Sequence, residues 1–592
     1  MAIFGLRLIR RWAAEALAAR LVYARRMAYL CVMASLDDPT SELALQLQKE
    51  LPRKRVLIVD RHPAARDSLR MMLSALGIVS VTGAGTSVEV LRQVKASEFD
   101  IILSDYVLDD GRDGQQLLEE LRQQHLIPLG TVFMVITGER SYHNVVSVAE
   151  LAPDDYLIKP FTADQLQARL LKAVFKKNFF APVYRKLDEG AYIGALNACD
   201  RLLANTSPFE LDVLRLKGEI LNALGRNAEA ETIYRDVLAR KSVPWARMGL
   251  AISLRGNKVL DEAESLAQQV VEDFPEYLSA YDFLAGVREE MGQLEAAQKV
   301  LQEAAVISPN NATRQRIVGD VAMRNGDLDS AEKAYGKVLE RHRSSSLKQV
   351  DDYANLSRVM LDKGHPAGAR QIIHELKRDW RGSKQGEYAA AVMDSLCLHA
   401  EGEPEKAKRA AEQALRLHEA LAEEAEPDKP MSHKIAVDLA HACLATGDTE
   451  SAQAIMRKVA AENNENPHVI ARIQGVFART GNEDAGQTLL DQVGREIVEI
   501  NNRGVMAARS GNLEESVRLL TEAAERVPSL QFLVNATKAI CALMDQKGWR
   551  EELAERVRSY LQQAQARSPR DPRVLSGREA YQRVAEKFGI KN

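Results

Sequence analysis

Val56-Leu57-Ile58-Val59-Asp60-Arg61-His62-Pro63 decides how the first organised part of this chain folds. Four apolar residues run straight into an acid, and Pro63 opens a helix. Such a run fits a strand buried on both faces, as in a parallel sheet. Working outward, Leu69, Met72, Leu73 and Leu76 recur at helix spacing and close at Gly77. Ile78–Val81 predicts a second strand, and Val88, Leu91 and Val94 a second helix. Ile101-Ile102-Leu103 is a third strand that ends at Asp105, followed by a helix with Leu117, Leu118 and Leu121. Val132–Ile136 ends at Thr137, and Val145, Val146 and Val148 mark a fourth helix. Tyr156-Leu157-Ile158 ends at Lys159. Leu166, Leu170, Leu171 and Val174 mark a fifth helix, from about Ala163 to Lys176. Strands alternating with helices imply a parallel sheet covered on both sides.

Asp60, Asp105, Thr137 and Lys159 all fall where strands end, which is where open α/β sheets bind ligands. Two acids, a hydroxyl and a lysine suit the handling of a phosphoryl group. A carboxylate accepts it while cations and a hydroxyl stabilise its oxygens.

These residues resemble the receiver domain of bacterial response regulators. Val59-Asp60-Arg61-His62-Pro63 is similar to the family's first acid motif, and Leu103-Ser104-Asp105 to its phosphoacceptor strand. Val135-Ile136-Thr137-Gly138 and Asp155-Tyr156-Leu157-Ile158-Lys159-Pro160-Phe161 are similar to its switch hydroxyl and switch aromatic motifs. The resemblance implies a flavodoxin-like α/β fold over residues 53–176. It makes Asp105 the acceptor of phosphate from a histidine kinase or phosphotransfer protein. Lys159 pairs with the phosphoryl oxygens, Thr137 swings to bond them, and Tyr156 turns inward. It further implies a cis bond before Pro160 and a Mg²⁺ between Asp60, Asp105 and the backbone carbonyl of Val107.

Two departures bear on that site. The family usually has a second acid after the first strand, the more direct metal ligand, and this chain has Arg61. The segment after Asp105 lacks the usual proline, and its glycine, Gly114, falls about one residue late. Losing a carboxylate weakens a hard-cation site with few protein ligands. Arg61 can instead place a fixed positive charge near Asp105, and Asp109 or Asp110 can lend a ligand. Two readings stay open: a phosphorylated receiver, or a phosphate-independent pseudo-receiver.

Residues 180–592 repeat. Glycines recur at Gly190, Gly225, Gly256, Gly292, Gly326, Gly364, Gly402, Gly447, Gly481, Gly511 and Gly548, spaced by about 36 residues on average. Helical pattern flanks each one. An alanine stands five residues later at Ala195, Ala230, Ala297, Ala331, Ala369, Ala407 and Ala452, small enough for two helices to pack closely. Prolines such as Pro244 and Pro467 stop the second helices. This resembles the tetratricopeptide repeat (TPR) family: an all-α solenoid of ten to eleven helix pairs whose concave face grips protein segments. Most of that family's Trp and Tyr positions are absent. The junction at 176–182 has no flexible linker, so Phe179 and Phe180 are expected to pack. It predicts contact between the receiver surface carrying Tyr156 and the first repeats.

The composition agrees. The chain has 592 residues, 46% apolar and 27% charged, and a net charge of −4 from 79 basic and 83 acidic residues. That balance does not favour nucleic-acid binding. Only 5% of residues are aromatic, which suits helix contacts made by Ala and Leu. Cys31, Cys199, Cys397, Cys443 and Cys541 form no CxxC, so neither a zinc site nor a disulfide framework is expected, and a cytoplasmic location fits.

Residues 1–52 read as a basic, poorly ordered extension. Within it, residues 1–32 carry Arg7, Arg10, Arg11, Arg20, Arg25 and Arg26 against Glu15. They leave three readings: residues placed ahead of a natural start at Met33, a tail, or a membrane-surface helix, and membrane contact is not expected. No GxSxG, P-loop, HExxH or output helix-turn-helix occurs. The expected function is therefore regulatory. Phosphorylation at Asp105 would control protein binding, or a homodimer, through the array, with no separate catalytic domain.

Overall fold

Side-chain alternation along the apolar strands builds the first domain from both sides of one sheet. The computed structural model describes residues 41–592 except 109–113, 125, 139–152, 205–208, 310, 343–348, 424–430, 465, 569–570 and 591–592. The strands are β1 (Val56–Val59), β2 (Val81–Ala84), β3 (Ile101–Asp105), β4 (Val132–Thr137) and β5 (Asp155–Ile158). The helices around them are α1 (Glu42–Glu50), α2 (Pro63–Ala75), α3 (Ser87–Ala96), α4 (Gly114–Gln123) and α5 (Ala163–Asp188). All strand pairs are parallel, in the order β2-β1-β3-β4-β5. Val56, Ile58, Ile101, Leu103, Met134 and Ile136 point to one face, onto Leu69 and Leu73 of α2 and Leu166, Leu170 and Val174 of α5. Leu57, Val59, Ile102, Phe133 and Val135 point to the other, onto Val90 and Val94 of α3 and Leu117, Leu118 and Leu121 of α4. The expected five-stranded α/β sheet is therefore present. The expected helix at Val145, Val146 and Val148 lies outside the described residues.

Three expectations are corrected. First, β2 begins at Val81, not Ile78. The chain first finishes α2: Gly77 has φ +80°, and the Ile78 N–H bonds the Leu73 carbonyl at 3.0 Å. That capping turn consumes Ile78 before a strand can start. Second, residues 41–52 of the supposed loose extension are structured. Leu47 and Leu51 are 4% and 1% exposed and join the apolar face under α5, and Asn178 donates to Glu50 at 3.0 Å. Residues 1–40 lie outside the described residues. Third, the receiver's last helix does not stop near Lys176. Its buried positions continue as Lys177, Phe180 and Val183, still at helical spacing, so α5 runs 26 residues to Asp188. Thr162 and Gln165 form a capping box at its start.

Helix pairs follow: α6 (Tyr192–Ala204), α7 (Glu210–Ala223), α8 (Asn227–Arg240), α9 (Pro244–Gly256), α10 (Leu260–Asp273) and α11 (Leu278–Glu290). Further pairs continue to the helix Pro572–Lys587. Ten of the eleven expected turn glycines have positive φ. Gly256 does not. It lies inside α9, and Lys258 takes the left-handed turn with φ 64°. The seven expected alanines are all fully buried. Pro244 and Pro467 stand in the first turn of a helix, where a missing N–H does no harm. Between Gly481 and Gly511 one 27-residue helix, Glu483–Arg509, spans the interval in place of two helices and a loop. The chain divides into two compact units. The receiver and α6–α11 fall almost wholly in the first, and the helices from Ala312 onward in the second.

Candidate functional site

The parallel register delivers the expected residues to one edge of the sheet. Asp60 follows β1, Asp105 ends β3, Thr137 ends β4 and Lys159 follows β5. Lys159 is anchored by its own N–H, 2.7 Å from the Thr137 carbonyl. The Lys159–Pro160 bond is cis. The Lys159 ammonium then reaches both acids, at 2.8 Å from Asp105 Oδ2 and 2.9 Å from Asp60 Oδ2. Asp60 is 1% exposed, and its Oδ1 accepts the His62 N–H at 2.8 Å. Asp105 Oδ1 receives a contact from the Val107 N–H at 3.4 Å, longer than the contacts that Lys159 and the His62 N–H make with the other three carboxylate oxygens.

The charges divide unequally. Burial pushes the Asp60 carboxyl up, but the His62 N–H and Lys159 outweigh it and hold Asp60 below its ordinary value. Burial also raises Asp105, and the neighbouring Asp60 charge adds to it. Lys159 offsets only part, so Asp105 stays above its ordinary value. Burial lowers Lys159, but hydrogen bonds from Lys159 to the two carboxylates reverse this and hold its ammonium charged.

Arg61 does not play the part expected of it. Its Nε donates to His62 Nε2 at 3.0 Å, and Lys159 is the cation that touches Asp105. Thr137 is buried at 7% exposure. Tyr156 is half-buried on the α3–α4 face, the side of the sheet opposite α5. Burial, with Asp155 adding to it, keeps its hydroxyl protonated. Asp109 and Asp110 lie outside the described residues.

Sequence reasoning missed two supports. Arg66 donates to the carbonyls of Asp60 (2.6 Å) and Arg61 (3.3 Å), bracing the turn that holds Asp60. It lies six residues beyond the acid, in the first turn of α2. Gly114 passes so near the acceptor that a Cβ would stand 2.6 Å from the Asp105 carbonyl. Its N–H closes the loop onto Tyr106 at 2.7 Å. The late glycine therefore packs directly against the backbone of Asp105 and Tyr106.

The join to the repeats is elsewhere. Lys177 of α5 meets Asp154 and the Leu129 carbonyl, both at 2.8 Å, and Asp188 accepts the Leu129 N–H at 3.2 Å. Asp154 and Leu129 stand at the amino ends of β5 and β4, away from Lys159. Phe175, Phe179 and Phe180 pack on Phe209, with ring centres 5.0 to 6.0 Å apart. The phenylalanines pack as expected. Among the described residues, the contacts given above join α5 to the opposite edge of the sheet from the expected Tyr156 surface.

The donor set fits a weak divalent-cation site. Asp60 and Asp105 supply two carboxylates, but Lys159 and His62 already engage three of their four oxygens. Among the described residues no cluster of three acidic, His or Cys groups occurs. Mg²⁺ tolerates one or two carboxylates when phosphate and water complete its shell.

Comparison with known proteins agrees over this region. The response regulator receiver domain model matches residues 56–171. The transcriptional activator protein IrlR of Burkholderia pseudomallei is 34% identical over 116 residues, 20% of this chain and 48% of that protein. The chain thus spans about half the length of the curated relatives it matches. A two-component response regulator from Clostridium difficile is 23% identical, covering 21% of this chain and 98% of that one, with a TM-score of 0.20. A CheY-like receiver domain protein from Methanospirillum hungatei JF-1 is 29% identical, covering 21% and 96%, with a TM-score of 0.20. Receiver domains generally work with histidine kinases or phosphotransfer proteins and bind Mg²⁺. Residues 56–171 are a response regulator receiver domain, and the helix pairs beyond it are compatible with a tetratricopeptide-like array.

Proposed function

We propose that phosphorylation of Asp105 regulates protein–protein binding by the helical array, in the cytoplasm, with no catalytic output domain. The observation that carries this reading is the Lys159 ammonium bridging Asp105 and Asp60, with Asp105 Oδ1 held by a long 3.4 Å contact from the Val107 N–H. In the transfer, Asp105 Oδ1 bonds to phosphorus as the N–P bond of a phosphohistidine breaks. The released imidazole takes a proton from water. Lys159 holds the charge that grows on the phosphoryl oxygens, and Thr137, the last residue of β4, is the hydroxyl that would bond one of them. Asp60, Asp105 and the Val107 carbonyl would hold Mg²⁺, which supplies further charge neutralisation when bound. The raised pKa of Asp105 makes it a more basic nucleophile than a free carboxylate.

A phosphate-independent scaffold is the second reading. It is favoured by Arg61 in the place of an acid and by a Lys159 ammonium that already bridges Asp60 and Asp105. Affinity purification with wild type, Asp105→Asn and Asp105→Glu separates the two. A partner set that differs between wild type and Asp105→Asn supports regulation, while identical sets support the scaffold.

A further inference from the structure

In the second compact unit, the first helices of five successive pairs are Ala312–Arg324, Val350–Asp362, Lys384–Ala400, His433–Ala445 and Pro467–Arg479. A solenoid ordinarily joins each repeat only to its neighbours. Here charged side chains also tie repeats that are not neighbours. Arg358 pairs with Asp438 two repeats away, through Nε at 2.9 Å and through a second, closer contact. Lys434 reaches Asp320 three repeats back at 2.9 Å, and Arg479 reaches Asp362 at 3.2 Å across the same span. Arg324 meets His468 at 2.8 Å across four. Arg472 adds a second cation to Asp438 at 2.9 Å.

Burial is graded along this set. The Arg358 and Asp438 side chains are 7% and 3% exposed, whereas Asp320 and Arg479 at the rim are 36% and 43% exposed. The contacts within and between neighbouring pairs are largely apolar, made by residues such as Ala369, Ile373, Val392 and Ala440. Of the ties across two or more repeats named above, Arg358–Asp438, Lys434–Asp320 and Arg479–Asp362 are ionic, and Arg324–His468 is a hydrogen bond from a cation. Separating them exposes charges that water solvates well, so it is a smaller event than unstacking a repeat. A buried charge left without its partner is, however, strongly unfavourable.

We infer that the Arg358–Asp438–Arg472 cluster and its rim pairs are a latch that holds these five helices in one closed arrangement. Separating them requires the latch to open. The latch rests on the helical array alone and stands or falls separately from Asp105. Amide exchange and solution scattering on the full-length chain test it, with Asp438→Asn and the rim double variant Lys434→Gln/Arg479→Gln. The latch predicts about tenfold or faster exchange in 350–362 and 433–445, a larger radius of gyration and unchanged helical dichroism. Wild-type exchange and scattering in a folded Asp438→Asn overturn it. So does lost helicity in Asp438→Asn combined with wild-type behaviour of the rim variant, since the cluster is then ordinary core.

Discussion

The chemistry proposed at Asp105 depends on Gly114, which packs against its carbonyl, and on Lys159, which pairs with its charge. A Cβ at position 114 collides with the Asp105 carbonyl, and that backbone cannot retreat without moving the acceptor. Gly114→Ala should therefore slow phosphorylation by acetyl phosphate about tenfold or more and destabilise the domain by about 1–3 kcal/mol. The first is read from the rate of band shift, the second from urea unfolding. Asp60, Asp105, Thr137 and Lys159 were all legible in the sequence, because each lies where an apolar strand ends. The role of Arg61 was not. Sequence places it beside Asp60, but only the fold shows its guanidinium turned to His62 and the acids already bridged by Lys159. Gly114 was noticed only as a spacing irregularity, because its contact is with backbone that lies far from it in space until the loop closes.

At the scale of elements, α5 is the part that sequence divided wrongly. Its apolar spacing runs unbroken through Lys177, Phe180 and Val183, and the residues from Lys176 to Pro182 looked like a junction only because the motif ended there. Lys177 is buried, and burial pulls its ammonium down against the pull of Asp154. Lys177→Met removes the cation from Asp154, which keeps the Phe133 N–H at 2.8 Å, and the donor from the Leu129 carbonyl, and should cost about 1–3 kcal/mol, measured by urea unfolding of the full chain. A change below about 0.5 kcal/mol would show that the join is not held there. Among the repeats, Tyr234 lies between Gly218 and Gly249, where an added Cβ would stand 2.6 Å and 2.2 Å from its ring. Gly249→Ala should destabilise by about 1–3 kcal/mol through overpacking. The turn glycines were readable from their period. These two were not, since nothing local marks a helix-interior glycine as the seat for a tyrosine on another helix.

For the whole molecule, length and period foretold one α/β domain followed by stacked helix pairs, and the thin aromatic content follows from alanine-lined contacts. The closed inner charges of residues 312–479 were hidden, because they join positions up to 144 residues apart. Acid should loosen the array. Burial holds His418 and His441 at about 4, below the ordinary 6.5, with Lys458 adding to the effect at His418 and Arg479 at His441. The folded chain keeps both neutral while the unfolded chain takes up protons. Their contribution is complete above pH 6.5 and is lost as pH falls toward 4. The melting temperature should fall across that window. A flat profile would show that neither ring is buried neutral.

All of this is organised around a phosphoryl group reaching Asp105, and one measurement addresses that directly: Phos-tag electrophoresis of the full chain after acetyl phosphate and Mg²⁺. The account predicts a shifted band in wild type that is absent in Asp105→Asn. No shift with any donor, even at high Mg²⁺, would contradict it and leave the closed Asp60–Lys159–Asp105 triad as the core of a scaffold.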